Sequence, residues 1–397
     1  MPQTTGSLEF RVIVTALKPR PTASEIEWLS SALSECDRNA LIEQLLREGL
    51  LPGFAAKLFG FEVPLQEPFA ARLRSVLDEN TRRNLMLVRE LFTIIDEAES
   101  KGIRIVPFKG PVFAFQCHGS PGFRNCNDLD VLIRIEDLQG LKAIFAGRGY
   151  TQQFALSAAE ERLYLRSECE FNFTHPAFGT LVEAHWDFMP PYYTVRDLPG
   201  LWEDLGTIYM AGRAVRVMSP EHCLLGLVQH GTKHSWEDMS LALDIAQWLD
   251  TNPQLDFEKL FLIAGQAHMK RMLLLAFQVA DEMVGVELPE LVRAELSAQP
   301  ELKVLAKRLV SFINRPEKYK RDLKTFAFIF NMVDSWSDRI RFVARLTLTP
   351  NTVDILWVRL PSLLTFLYPA FRLLRLSQVF FRQVTKRALN DPRTVNA

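Results

Sequence analysis

Asp128 and Asp130 stand on either side of Leu129 in the run "NDLDVLIRI", where a core strand would be Leu, Val and Ile throughout. Residues two apart on an extended strand project to one face. The two carboxylates therefore point together, while Leu129, Val131 and Ile133 point the other way into a core. Close carboxylates repel and desolvate each other, a situation a fold avoids unless a cation lies between them. Hard divalent ions, Mg²⁺ or Mn²⁺, take oxygen ligands of this type together with substrate phosphates. A DxD alone is weak, since a strand end with its aspartates in water reads the same way. The neighbouring segments have to decide.

Upstream, Lys109-Gly110 closes the short β-type run "IRIVPF", where a turn and a helix start can present backbone N–H groups to phosphate. Downstream, Glu183 sits in the apolar strand "LVEAHWDF". A third strand carboxylate is what a second metal, or a general base for an incoming hydroxyl, requires. His185 shares the face of Glu183 and can orient that acid, ligate a metal or contact substrate. A hydrogen-bonded structural histidine is the plainer reading. Arg124 precedes the acidic strand, so its planar fork can take a phosphate or pair with a carboxylate. His230 and His234 are spaced i, i+4 with Lys233 between them, but no third zinc ligand is apparent. Lining a cleft together with Lys233 and Asp244 is the functional reading, and a helix–helix polar contact the plain one. Trp186 and Trp236 read as packing residues that could also stack on a base.

The chain has 397 residues, enough for two or three domains, and about half of it is apolar. A net charge of −1 gives no polyelectrolyte signature for nucleic acid. Five scattered cysteines with no CxxC suit a reducing compartment better than a disulfide framework or a zinc site. "MPQTTGSLEF" lacks a secretory pattern, and no apolar run reaches the ~18 residues of a spanning helix. A soluble cytoplasmic protein is expected.

Helical periodicity fills residues 24–58, with Ser24 as a candidate N-cap and Glu27 three residues on. A second helix is expected over 68–100, stopped by Lys101-Gly102. From residue 103 strands and helices mix: "DLDVLIRI", the helix "EDLQGLKAIFAGRGY", then "TQQFAL", "RLYLRS", and "ECEFNFTHP" with "TLVEAHWDF" as a hairpin. After Ser219, which caps a helix beginning with Pro220, the pattern is helical again. The chain thus reads as α+β: a helical region at 1–100, a mixed-sheet domain at 101–218, a helical domain at 219–345 and an arm at 346–397.

"KGP" at 109–111, "RNCNDLDVLI" at 124–133 and "VEAHWDF" at 182–188 together resemble the nucleotidyltransferase superfamily typified by DNA polymerase beta. "HGTKHSWEDMSLALDIAQWL" at 230–249 and "LTPNTVDILWVRLPSLLTFLYPAFRLLRL" at 348–376 bring the chain closer still to a bacterial uncharacterised nucleotidyltransferase family. The resemblance implies a nucleotidyltransferase-fold sheet framed by helices, and transfer of a nucleoside monophosphate from an NTP, with AMP from ATP the leading case. It also implies that Asp128, Asp130 and Glu183 hold the metals and that Lys109 and Gly110 contact the triphosphate. Arg124, His185, Lys233 and His234 are further nucleotide-contacting candidates. Pro111 departs from the superfamily's small residue after the turn glycine; lacking an N–H, it shifts phosphate binding onto Lys109, Arg124 and other amides. A nucleotide-binding scaffold without turnover is the alternative, as is a membrane-associated accessory protein. The acceptor hydroxyl or phosphate is not identified by any motif.

No acidic residue falls between Asp354 and Asp391, while Arg359, Arg372, Arg375, Arg382, Lys386 and Arg387 alternate with aromatic and leucine-rich pieces. The first reading is a packing arm whose arginines meet acidic faces elsewhere. The second is peripheral contact with a membrane, the inner one in a bacterial cell, with Pro361 and Pro369 breaking the arm into short pieces.

Overall fold

The alternation around residue 129 becomes the second strand of a five-stranded mixed sheet. The computed structural model describes residues 6–193, 195, 197–313 and 323–389. Its strands are β1 (Val106–Pro107), β2 (Asp128–Leu132), β3 (Thr151–Gln152), β4 (Glu170–Thr174) and β5 (Leu181–His185), in the order β1-β2-β5-β4-β3. β2 and β5 run parallel, with Asp130 opposite Glu183, and the other neighbours are antiparallel. Phe171, Phe173, Leu129, Val131, Val182 and Ala184 fill one face of the sheet. They pack with Leu91, Ile94 and Ile95 of the helix Phe69–Ser100 and with Ile144 and Phe145 of the helix Leu138–Gly147. A hairpin follows, β6 (Leu205–Met210) and β7 (Arg213–Met218), turned by Ala211 and Gly212 at positive φ. Both turn residues have the left-handed backbone that a two-residue hairpin loop needs.

Two local readings are corrected. The helix Ala23–Glu35 is capped by Thr22 with Glu25 completing the box, two residues before the expected Ser24. "RLYLRS" is not a strand but the end of the helix Ala158–Ser167, whose start is fixed by a Ser157–Glu160 capping box. Its apparent alternation is overridden by that cap and by the burial of Glu160, Tyr164 and Ser167 on one helical side. The hairpin through Pro176–Gly179, the helix stop at Lys101-Gly102 and the Ser219 cap are as read.

Phe10, Leu41 and Phe54 of the N-terminal helices share one buried cluster with Leu224, Leu274 and Phe277, so the first and third helical regions pack as a single core. The arm folds as the helix Thr352–Trp357, a 3₁₀ turn at Ser362–Leu367 and the helix Tyr368–Leu389. Pro369 does not interrupt this last helix, because in the first turn its missing N–H has no partner to lose. Arg372 and Arg375 meet Asp354 at 2.6 and 2.5 Å, so the arm supplies its own acid. The side chains of Arg382, Lys386 and Arg387 lie outside the described residues, as do residues 1–5. Among the described residues no helix is long and apolar enough to cross a membrane.

Candidate active site

The face of the sheet away from the apolar layer gathers the acids. Asp128 and Asp130 project from β2, and the parallel register brings Glu183 alongside Asp130 and His185 alongside Leu132. β4 adds Glu170, directly opposite His185. His185 Nε2 lies 3.1 Å from Asp130 Oδ1 and 3.4 Å from Glu183 Oε2. Its Nδ1 is 3.2 Å from Glu170 Oε2, an ion-pair contact out of line for a hydrogen bond. Lys109 Nζ comes from the opposite side to within 2.8 Å of Asp130 Oδ1.

The electrostatics of this face follow from its burial. Burial and the charges of Asp130 and Glu183 push the Asp128 carboxyl up to about 6. Asp130 is also buried, but Lys109 and His185 outweigh that and hold it well below the usual carboxylate range. Burial opposes charge on His185, yet its contacts with Asp130, Glu183 and Glu170 raise it well above an ordinary imidazole. The imidazolium thus carries counter-charge among three acids. Burial likewise opposes the Glu170 carboxylate, but His185 and Lys233 bring it down to about 2.

Local structure explains how each group arrives. Lys109 is the residue before the helix Gly110–His118 and has φ 56, ψ −157, a backbone region that belongs almost wholly to glycine. This twist turns the chain from β1 into the helix and aims the ammonium back at Asp130. Gly110 also has positive φ and passes close to Asp128, whose carbonyl oxygen would lie 3.5 Å from a Cβ there. Asn80 and Asn84, buried on the helix Phe69–Ser100, donate to the carbonyls of Gly122, Pro121 and Arg124, pinning the loop that enters β2.

The remaining candidates lie nearby. Arg124 pairs with Asp244 of the helix Met239–Thr251, while still feeling the charge of Asp130. Lys233, last in the helix Pro220–Lys233, donates to Glu170 Oε2 at 2.7 Å and lies 3.7 Å from Cys169 Sγ. His234 caps that helix with its ring 4.5 Å from His230. Burial and the neighbouring cations keep His230 neutral. Trp236 is fully buried, its ring tight against Gly231, which suits packing.

Glu170 was missed in the sequence, although the alternation "EFNFT" puts it on the polar face of its strand. What the sequence does not give is the register that sets it against His185. Asn80 and Asn84 escaped for a similar reason, since polar residues on a long helix read as a solvated face.

Atoms of Asp130, Glu183 and His185 that could ligate a metal lie within 4.8 Å of one another. The oxygen donors suit Mg²⁺ or Mn²⁺, and His185 would join them only after giving up the proton its acids hold on it. Asp128 projects from the same strand face two residues earlier but lies outside that set of atoms. The donor set therefore fits a divalent ion.

A carboxylate pair on β2 thus lies beside a third acid in register on its parallel neighbour β5. The family model of the uncharacterised nucleotidyltransferases matches residues 34–285, well over half the chain, and the chain belongs to that family. Among solved structures, an antigenic nucleotidyltransferase-like protein from Paracoccidioides brasiliensis is 17% identical, with 58% of this chain and 93% of that one covered and a TM-score of 0.29. No curated protein matches.

Proposed function

We propose that the protein moves a nucleoside monophosphate, AMP from ATP in the first instance, onto an acceptor hydroxyl or phosphate. One observation carries this reading: Asp128, Asp130 and Glu183 share a face of two adjacent parallel strands, with Asp130 and Glu183 in register. Asp128, Asp130 and Glu183 are the residues to hold a divalent ion, Mg²⁺ or Mn²⁺, which when bound neutralises triphosphate charge and lowers the pKa of the attacking hydroxyl. Lys109 stands just before the helix Gly110–His118, so a phosphate that reaches the N–H groups of the first turn would also meet its ammonium. Pro111 contributes no N–H, so Lys109 and Arg124 take the larger share of phosphate recognition. Glu183, partly open to solvent, is the base nearest an incoming hydroxyl.

Pyrophosphate release from each NTP, with Mg²⁺ or Mn²⁺ and a panel of acceptors, tests the proposal. Asp128→Asn, Asp130→Asn and Glu183→Gln should each slow release by on the order of a hundredfold or more. If all three keep wild-type rates, the acids do no chemistry and the reading fails. Tight NTP binding with no release in any condition would favour the scaffold reading instead.

A further inference from the structure

The helix Gly110–His118 meets the acidic face at its start and a separate cavity along its far half. Phe113 and His118 line this cavity of about 350 Å³ together with Lys57 of the helix Leu51–Gly60 and Gln247 of the helix Met239–Thr251. It therefore lies where the N-terminal helices, the sheet domain and the third helical region meet, the kind of junction at which small-molecule sites form. Arg124 lines it as well and feels the charge of Asp130, while Asp128 feels the charge of Arg124, so the cavity adjoins the acids.

Lys57 brings to this cavity a charge that no acid answers. Its half-buried ammonium donates to the carbonyl of Pro19 at 3.4 Å, and among the described residues no carboxylate forms an ion pair with it. Asp250, whose charge it feels from the end of the helix Met239–Thr251, is taken by Arg20 at 2.6 Å. The other charges at the cavity are engaged. Arg124 pairs with Asp244, and Glu48, where that helix begins, meets Arg47 at 3.4 Å and accepts from the Met239 N–H at 3.2 Å. Holding a cation away from water without a counter-charge costs stability, and burial accordingly lowers the pKa of Lys57. His118 is kept neutral by burial and by Lys57 and Arg124, so its ring offers one N–H beside the ammonium.

An anion answering Lys57 belongs to a second molecule, not to the nucleotide. Gly110 and His118 are eight residues apart, about 12 Å along the helix axis. The triphosphate is held at the helix start, and the base end of a nucleotide carries no negative charge to bring this far. We infer that the cavity beside Arg124 seats the acceptor, a small molecule whose phosphate or carboxylate group meets Lys57 and His118 while its reacting oxygen faces the acids past Arg124. The acceptor role rests on nucleotidyl transfer as the chemistry of those acids; the anion site rests on Lys57 and the cavity alone.

Inorganic phosphate and acetate, added separately to the full chain, test this through the ring signal of His118 in NMR spectra of histidine-labelled protein, assigned with His118→Gln. At least one of the two anions should shift that signal to saturation, and the tighter of them tells a phosphate-bearing acceptor from a carboxylate-bearing one. Lys57→Met should weaken the binding roughly tenfold or more, and Lys57→Arg should restore most of it. The melting temperature of Lys57→Met should not fall, because the variant removes an unanswered charge and keeps the apolar stem. Filling the nucleotide site with α,β-methylene-ATP and Mg²⁺ should leave the response of His118 in place; displacement of the anion would give the cavity to the nucleotide and overturn the assignment. It is overturned too if neither anion moves His118, or if Lys57→Met binds as tightly as wild type. Asp130→Asn should stop pyrophosphate release without altering the response of His118. Absence of release from every NTP in the wild type, with that response intact, would remove the acceptor role and leave an anion site, an outcome distinct from failure of the cavity itself.

Discussion

Lys109 occupies a backbone region that costs a side-chain-bearing residue roughly 1–3 kcal/mol. Lys109→Ala and Lys109→Gly both remove the ammonium, so comparing them isolates the backbone. The glycine variant is expected to be the more stable of the two by about 1 kcal/mol in urea unfolding, after glycine's own chain entropy is counted. Equal stabilities would show that the twist before Gly110 carries no strain. A second residue-level expectation concerns His118, which stacks on Phe123 with ring centroids 4.4 Å apart. Burial, with Lys57 and Arg124 nearby, lowers its pKa to about 4. The unfolded chain therefore binds the proton more readily, and this group's share of stability is full above about 6.5 and lost as pH falls through about 4. In His118→Phe the melting temperature should depend less steeply on pH across that window. Asp128 and Asp130 were legible in the sequence because strand alternation alone puts them together. Glu170 was not, because its place beside His185 depends on which strands pair and in what register.

Elements constrain one another most tightly where backbone meets backbone. Gly53 lies inside the helix Leu51–Gly60, where alanine's better propensity would normally stabilise by up to about 1 kcal/mol. A Cβ there would stand 2.7 Å from the carbonyl oxygen of Phe123, a main-chain atom that cannot swing aside. Gly53→Ala is therefore expected to destabilise, by about 1–3 kcal/mol, with the loop before β2 displaced. A higher melting temperature for this variant would show that the loop yields freely. The long helices were readable because apolar residues recur at helical spacing over many turns. The β6–β7 hairpin was not singled out, its strands interrupted by Arg213 and Arg216 and its turn marked only by Ala211-Gly212. The helix Ala158–Ser167 was mistaken for a strand in its last residues because its capping signal lies upstream of the segment that drew notice.

At the scale of the molecule, the arm depends on one carboxylate. Asp354→Ala would leave Arg372, 2% exposed, without its counter-charge, and should cost about 3–5 kcal/mol. Limited proteolysis should then cut within the arm while the sheet stays protected; resistance equal to wild type would mean that the apolar contacts of Ile355 and Tyr368 suffice. The order of helical and mixed segments along the chain was legible, whereas the merging of the first and third helical regions into one core was not, because sequence periodicity says nothing about which distant faces meet. The parallel pairing of β2 with β5 has a temporal consequence. Asp130 and His185 are 55 residues apart in the chain, and Glu170 of β4, beside His185, pairs with Lys233 from a helix further on. During synthesis the emerging polypeptide cannot complete this cluster of charges until that helix has cleared the ribosome. Under the proposed function, chains ending before that helix should bind nucleotide more weakly than the full chain does.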